Sequence, residues 1–566
     1  MRAGRFTPRW VHAASVMAIA LSLTACSGIP TSGGVLAGPV IDEEIDPRVV
    51  IVPSGPRAGS TQEELLDDFM QAVRGSQNDY AVAKLFLTVG LAASWNPDAS
   101  TVIRASPRTL SVGTSPDELT YAFSSRAFVN ADGRYVEQRD LANQTLSFRF
   151  VEEGGEWRMS EAPDGIVLSQ TSFSIAFREQ ALYFFDPTYR FLVPDVRWFP
   201  SRQTIPARIV RALLSGPTSW LQGGVVRSEF PTATALGPDG VELRAGTATV
   251  DLTEEVLSAT PVQRERMRQQ LLATLNTVTS GVSQVNLTVN GLAIVIPETT
   301  TPAIQNPQAE RSPLVGADAI FGFATGEEIT SLDGLSPVIV GAGATAVTLA
   351  EDRQAAAFLA GTGAVAVAQV SQTLPIVVDE RVGLISPSID GLNFVWSVPA
   401  GDASGLTAFG LDGEPHSIAS TLPVGATVVS IDVSRDGTRI LLALSTDLGP
   451  RLVVAGIIRQ DNIPVALGEL VELPVAGDVP VDTAWVDDRS VALLSRSGTE
   501  VTVTQFALGG PSSSLGTLVD ARAIVGGNGG ADGLWILAAD GEILRPQGGG
   551  GWSGTGQLVS FIATQQ

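Results

Sequence analysis

The chain has 566 residues, of which 44% are hydrophobic and 17% charged, a balance that supports several folded domains and excludes a wholly disordered protein. Its formal net charge of −23 disfavours binding to nucleic acid and to anionic lipid head groups, because both need clustered lysine and arginine. One cysteine and two histidines exclude an intramolecular disulfide and most zinc or haem sites, so we predict neither a metal centre nor a cofactor.

The first 25 residues have the pattern of an export signal. Three arginines precede an apolar stretch of about a dozen residues, which is too short to span a ~30 Å hydrocarbon core. The stretch ends in Leu23, Thr24 and Ala25, directly before Cys26. This matches the bacterial lipobox, in which signal peptidase II cuts before a cysteine that carries a diacylglyceryl thioether. We therefore predict a lipoprotein with S-diacylglycerol and an N-acyl chain (palmitate) on Cys26, anchored at the extracytoplasmic face of the cell membrane.

A tether and a small domain follow the signal. Residues 26–59 are rich in Gly and Pro and show no sustained period, which predicts a tether. Capping-box residues at Ser60 or Thr61 begin a helix that ends at Gly75. Alternating stretches further on predict strands. We interpret residues 60–175 as an α+β domain whose order of elements is similar to NTF2-like folds.

Residues 180–298 alternate predicted strands and helices, including helices at 204–214 and from 260 to about 278. Four motifs in this region resemble the GerMN domain, first named from a spore-germination protein. The motifs are Tyr183 and Phe184 in the opening strand, the runs 212–218 and 248–253, and the closing turn 289–291. The region is therefore expected to be a GerMN-like α+β domain.

The remainder of the sequence predicts an all-β architecture. Residues 299–312 are rich in Thr, Pro and Gln and are interpreted as a linker. Between 313 and 566, short apolar strands alternate with polar turns such as Asp390-Gly391 and Asp436-Gly437. Recurrence at roughly 40–50 residues without helical periodicity predicts a β-propeller, with five or six blades. The predicted fold is thus multidomain, with two small α+β domains followed by a propeller.

Few residues carry a pattern typical of catalysis. His416, the one histidine outside the signal, lies in a segment that we interpret as an exposed blade turn. The run 361–366 mimics the dinucleotide fingerprint G-x-G-x-x-A, but the valines after it favour a strand hairpin. The acidic pairs at 254–255 and 487–488 are interpreted as structural. The sequence therefore predicts no catalytic residue.

Charge is divided unevenly between the predicted domains. Residues 313–566 contain 27 acids and 10 arginines, whereas residues 180–298 contain ten of each. Two interpretations stay open. The acidic propeller steers basic partners while the neutral domain docks through apolar contacts, or the charge only keeps an exported propeller soluble.

The order of lipobox, tether, α+β domain, GerMN-like domain and propeller resembles the actinobacterial lipoprotein LpqB family. That resemblance implies a non-enzymatic lipoprotein linked to an envelope sensor histidine kinase, MtrB of the MtrA–MtrB two-component system, with a role in cell-wall homeostasis and division. Two alternatives stay open. One is a scaffold that binds cell-wall glycan, and the other is a cell-wall hydrolase, against which the lack of a nucleophile elbow or a Ser-His-Asp triad weighs.

Overall fold

The structure is a computed structural model that describes most of the chain after residue 52. It describes residues 53–201, 205–278, 281–475, 477–526, 530–548 and 550–566. The predicted signal peptide, the lipobox residues Leu23, Thr24 and Ala25, the lipidation site Cys26 and most of the tether lie outside the described residues.

The first domain packs three short helices against a curved sheet. Its elements are α1 Gln62–Ala72, α2 Gln77–Lys84, α3 Val89–Ser94, β1 Ser100–Arg104, β2 Thr109–Val112, β3 Glu118–Asn130, β4 Tyr135–Glu153, β5 Glu156–Glu161 and β6 Ile166–Ser169. The sheet has the order β5-β4-β3-β1-β6, with β2 paired to β3. Thr61 caps α1, because its Oγ1 accepts from the Glu64 amide while the Glu64 carboxylate accepts from the Thr61 amide. Leu66 and Phe69 of α1 are buried against Phe148 of the sheet.

The second domain is also α+β. Its elements are α4 Gln170–Ala176, β7 Phe177–Phe185, β8 Phe191–Pro200, α5 Ile205–Leu214, β9 Leu236–Arg244, β10 Thr247–Leu252, α6 Pro261–Val278, β11 Gln284–Val289, β12 Leu292–Ala293 and β13 Ile304–Gln305. The strands form two sheets, β12-β11-β10-β9 and β13-β8-β7. Helix α6 is fixed to β7 because Gln270 Nε2 donates to the Tyr183 carbonyl at 3.0 Å. The two helices predicted in this region are confirmed, whereas β9 was not predicted.

The third domain is a ring of four-stranded antiparallel sheets. Its elements are β14 Leu314–Ala317, β15 Ile320–Thr325, β16 Glu328–Ser331, α7 Ser336–Gly341, β17 Ala346–Leu349, β18 Ala355–Leu359, β19 Val365–Gln369, β20 Ile376–Asp379, β21 Ser388–Ile389, β22 Val395–Ser397, β23 Thr407–Phe409, β24 Pro415–Ser417, β25 Thr427–Val433, β26 Arg439–Thr446, β27 Gly449–Gln460, β28 Ile463–Leu473, β29 Val479–Trp485, β30 Ser490–Ser497, β31 Glu500–Ala507, β32 Ser512–Val519, β33 Ala521–Val525, β34 Trp535–Ala538, β35 Glu542–Gln547, β36 Gly551–Leu558 and β37 Phe561–Gln565.

These strands make six blades, which fits the prediction of five or six. Blade 1 joins β37 to β14, β15 and β16, and blades 2 to 6 take the following strands four at a time. The inner strands β37, β17, β21, β25, β29 and β33 contact one another in a closed ring. Closure depends on β37, because this strand pairs antiparallel with β14 of the first blade and parallel with β17 of the second. The ring therefore has no free inner edge among the described strands.

The second domain shares a hydrophobic core with blades 4 and 5. Leu221 and Val225 of that domain belong to the same buried cluster as Leu452 and Val454 of the propeller. A Cβ at Gly456 would lie 2.6 Å from the Trp220 carbonyl oxygen, so only glycine permits this approach of the two backbones. The sequence suggested that the charge-neutral second domain could dock onto a partner through apolar contacts. Part of its apolar surface is instead buried against the propeller of the same chain.

The segment 299–312, interpreted from sequence as a linker, contacts both of its neighbours. Strand β13 within it pairs with β8, and the Ala303 amide donates to Gln269 Oε1 at 2.8 Å. On the other side, Asn306 Oδ1 accepts from the Asp488 amide of the propeller at 3.3 Å. The segment therefore lies against the propeller face at which the inner strands end.

Candidate functional site

A cavity of about 470 Å³ occupies the centre of the propeller, and we call it the channel pocket. It is lined by the beginnings of the inner strands, among them Ala346, Val429, Val481 and Phe561. We call the propeller face at which these strands begin the open face. The volume lies within the range of ordinary small-ligand sites.

The other end of the channel is blocked by Arg435. This arginine is 8% exposed, and its guanidinium donates to the carbonyls of Gln565 at 3.3 Å and Gly526 at 3.1 Å. Beyond it, the buried Pro307 of the 299–312 segment packs beside Asp436 and leaves a space of only about 10 Å³. The channel pocket is therefore a blind pocket that opens at one face.

Asp482 presents a carboxylate to the pocket from the inner strand of blade 5. Its Oδ1 accepts from the Ser430 hydroxyl and the Thr483 amide, and its Oδ2 accepts from the Ile524 amide, each at 2.9 Å. Three hydrogen bonds from blades 4, 5 and 6 thus fix its orientation. Burial outweighs these bonds and raises the pKa of Asp482 to about 6.

Asp432 lies on the neighbouring inner strand and is 6% exposed. Its Oδ2 accepts from the Trp485 amide at 3.3 Å, and its main-chain carbonyl accepts from the Trp485 indole at 3.1 Å. Burial raises the pKa of Asp432 to about 7, and the positive charge of Arg435 only partly offsets this effect. The pocket thus contains two carboxylates that titrate near neutral pH.

Neither carboxylate was singled out from the sequence as a candidate site residue. Asp432 lies in Val-Ser-Ile-Asp-Val, and Asp482 lies in Val-Asp-Thr-Ala-Trp. In each strand an acid lies among apolar residues. The alternation of polar and apolar residues along a strand does not tell whether the polar side faces solvent or the wall of a pocket. Only the closed ring of inner strands shows that both strands line the central channel.

The structure corrects the interpretation of His416. This residue lies in the outer strand β24, opposite Ala408 of β23, and not in an exposed turn. It is half-buried, and its ring lies edge-to-face with Phe394 at 5.6 Å between centroids. This contact gives the side chain a packing role away from the channel pocket.

The turn acids of the propeller have structural partners. Asp436 pairs with the buried Arg439, and Asp390 pairs with Arg459. The pair 487–488 is less exposed than the sequence suggests, because Asp488 is 7% exposed and burial raises its pKa to about 6. These turns fix the ends of the inner strands and do not face the channel pocket.

Two other motifs have the predicted structures. The run 361–366 forms the turn between β18 and β19 and then enters β19, as expected for a hairpin. The acidic pair at 254–255 begins the 3-10 helix Glu254–Ser258.

Within the described residues, no three His, Cys, Asp or Glu side chains come together in a way that could hold a metal ion. In the same part of the chain, no helix has the length and apolar composition needed to cross a membrane.

Three family models match successive parts of the chain. "Lipoprotein LpqB, N-terminal domain" matches residues 55–174, "Sporulation and spore germination" matches 181–295, and "Lipoprotein LpqB beta-propeller domain" matches 324–561.

Curated relatives carry the same description. The chain is 35% identical to Lipoprotein LpqB of Nocardia farcinica over 42% of this chain and 39% of the relative. It is 26% identical to Lipoprotein LpqB of Cutibacterium acnes over 97% of this chain and 98% of the relative. Among solved structures, the tandem GerMN domains of the sporulation protein GerM from Bacillus subtilis match 23% of this chain and 45% of that chain. The sequence identity is 22% and the TM-score 0.19.

Proposed function

The chain belongs to the LpqB lipoprotein family, and on that premise we propose that it is a non-enzymatic protein that modulates an envelope sensor histidine kinase. Cys26 carries the lipid anchor, and the folded body stands on the extracytoplasmic face of the membrane. Its contact with the extracytoplasmic domain of the kinase, an MtrB-like protein, links it to cell-wall homeostasis and division.

The observation that carries this proposal is that the channel pocket opens at only one face of the propeller. The opposite face is covered by the 299–312 segment of the same chain. Pro307 and Arg435 close the far end, so the open face is the side on which the pocket can be reached. In this arrangement the open face is the propeller face that is available for contact with another molecule. That arrangement suits recognition of a partner better than passage of a substrate.

Membrane anchorage adds to the effect of such a surface. Two proteins held on the same membrane meet at a raised effective concentration, so a modest affinity is enough for a regulatory contact. The net charge of −17 on residues 313–566 would further raise the association rate with a basic partner.

The second candidate function is a scaffold for cell-wall glycan. The channel pocket places the hydroxyls of Ser430 and Thr483 beside the Asp482 carboxylate. Hydroxyl and carboxylate groups in a pocket of about 470 Å³ are chemically suited to sugar hydroxyls.

Direct binding tests the first candidate. The full chain, purified in detergent, is immobilised and titrated with the purified kinase ectodomain at low salt and micromolar concentration. We expect saturable binding with an association rate that falls as salt rises, while the dissociation rate changes less. Absence of binding under these conditions would remove the kinase from the proposal.

Cell-wall fragments separate the remaining functions. Saturable binding of soluble glycan fragments without turnover would favour the scaffold. Release of shorter fragments by the purified chain would instead establish a hydrolase and contradict the non-enzymatic assignment.

A further inference from the structure

We propose that the channel pocket receives a basic side chain, arginine or lysine, from a partner polypeptide that lies across the open face of the propeller. This deepens the proposed function, because it assumes that the chain binds a protein. It does not depend on that protein being a sensor kinase.

The first reason is that the hydrogen-bond partners of Asp482 include no positively charged group. Its two oxygens accept hydrogen bonds from one hydroxyl and two amides, and no ion pair in the described part of the chain includes it. It is half-buried, and its remaining accessible surface lines the channel pocket. A carboxylate that is partly withdrawn from water without a counter-charge is unfavourable, and an incoming cation would relieve this cost.

The other charged groups of the pocket do not supply that cation. Arg435 lies at the floor, beside Asp432, and its guanidinium is held by two main-chain carbonyls. Arg522 lies at the mouth, where its Nη2 donates to the Ser560 carbonyl at 3.4 Å. Asp432 has Arg435 as its electrostatic partner, so Asp482 remains the carboxylate without one.

The second reason is the shape of the pocket. It is closed at the floor, so a ligand group can enter from the open face only. A long side chain that carries its charge at the tip matches this geometry, because its apolar stem can lie along Val429 and Val481 while the tip reaches the carboxylate.

The third reason is a set of exposed apolar side chains around the open face. In or beside five of the six connections between blades, where an outer strand ends and the next inner strand follows, the chain has a Val or Leu that is at least 63% exposed. These residues are Val382, Val424, Val479, Val519 and Leu558. Repetition on one face of the ring differs from the scattered apolar residues of an ordinary surface.

Together these features favour a polypeptide over a free ion or a sugar. Exposed apolar side chains on the face at which an acid-lined pocket opens match a basic residue flanked by apolar ones, and arginine is enriched at the centres of protein interfaces.

The experiment uses the full chain in detergent and three short capped peptides, Val-Arg-Val, Val-Lys-Val and Val-norleucine-Val, with binding measured by calorimetry at pH 7.5. We expect the two basic peptides to bind and the norleucine peptide to bind at least tenfold more weakly. Asp482→Asn should lower the affinity for the arginine peptide at least tenfold. Asp447→Asn is the matched control, because Asp447 is an exposed acid on the same face and its loss changes the net charge equally. It should alter the affinity less than twofold.

A pH series of the unmutated chain provides a second measurement that is independent of how the variant folds. The pKa of Asp482 is raised to about 6, so the affinity for the arginine peptide should fall about tenfold between pH 7.5 and pH 5 as the carboxylate gains a proton. Asp432 titrates in the same range and adds to this change.

Several outcomes would overturn the assignment. They are equal binding of the norleucine and arginine peptides, an affinity that is constant with pH, and displacement of the arginine peptide by an uncharged glycan fragment. Kinase binding without any peptide binding would overturn the pocket assignment and leave the proposed function standing. Peptide binding that depends on Asp482, without kinase binding, would support the pocket and remove the kinase.

Discussion

Replacing Asp432 by Asn should change how the stability of the propeller depends on pH. Asp432 is 6% exposed and its pKa is about 7 in the folded chain, against about 3.9 in an unfolded chain. The folded state therefore binds a proton that the unfolded state has released. Stability from this group is fully present below the unfolded pKa and is lost as pH rises through the folded pKa. Asparagine has no such proton, and its Oδ1 can still accept from the Trp485 amide.

The magnitude follows from the two pKa values. Between pH 5 and pH 8, the difference in proton binding lowers the free energy of unfolding of the unmutated chain by about 2–3 kcal/mol relative to Asp432→Asn. The propeller lies at the upper end of the 150–250-residue range, where each kcal/mol corresponds to about 2 °C in melting temperature. The unmutated chain should therefore lose roughly 5 °C more than the variant over this pH range.

Differential scanning calorimetry at pH 5, 6, 7 and 8 measures the difference, with Asp447→Asn as the control for an exposed acid. We expect the control to follow the unmutated chain. Parallel pH profiles for Asp432→Asn and the unmutated chain would refute the reasoning, because they would show that Asp432 has the same proton affinity in both states. A variant that is less stable at pH 8 than the unmutated chain would show that the ionised carboxylate stabilises the fold.

Cys26→Ser should release the protein from membranes into the soluble fraction, and retention after a salt wash would contradict the lipobox interpretation. Arg459→Ala should lower the free energy of unfolding by about 3–5 kcal/mol, because it leaves Asp390 buried without its partner. Denaturant titration measures this loss, and a change below 1 kcal/mol would show that the pair is not needed. His416→Ala should remove one ring contact, cost about 1 kcal/mol and leave function in cells intact. Loss of function without loss of stability would indicate a chemical role for the imidazole.

Local signals in the sequence predicted much of the architecture. The capping box at Thr61 and the turn at 361–366 are decided by neighbouring residues, and the structure has them as predicted. The motifs at 212–218 and 248–253, together with the order of domains, indicated the LpqB family, which the family models confirm. Short-range patterns are sufficient where a few adjacent residues determine the conformation.

The candidate site could not be predicted in the same way, because it depends on contacts between distant residues. Asp482 becomes important only when Ser430 and Ile524 approach it from two other blades. His416 was placed in a turn because Asp412 and Gly413 precede it, yet the strand resumes at Pro415. The burial of Asp488 likewise depends on the packing of the 299–312 segment against the propeller.

The position of β37 in blade 1 has a consequence for the order in which the chain can fold as it is synthesised. Its partner strand β14 leaves the ribosome first, and five further blades follow before β37 can pair with it. Until then, blade 1 exposes an unpaired strand edge, and such edges promote aggregation. Because contacts between segments far apart in sequence form slowly, the last step of folding sets how long this edge remains exposed. Once β37 has paired with β14, this pairing must break before the ring can open. The ring therefore also opens slowly, and the native state is long-lived.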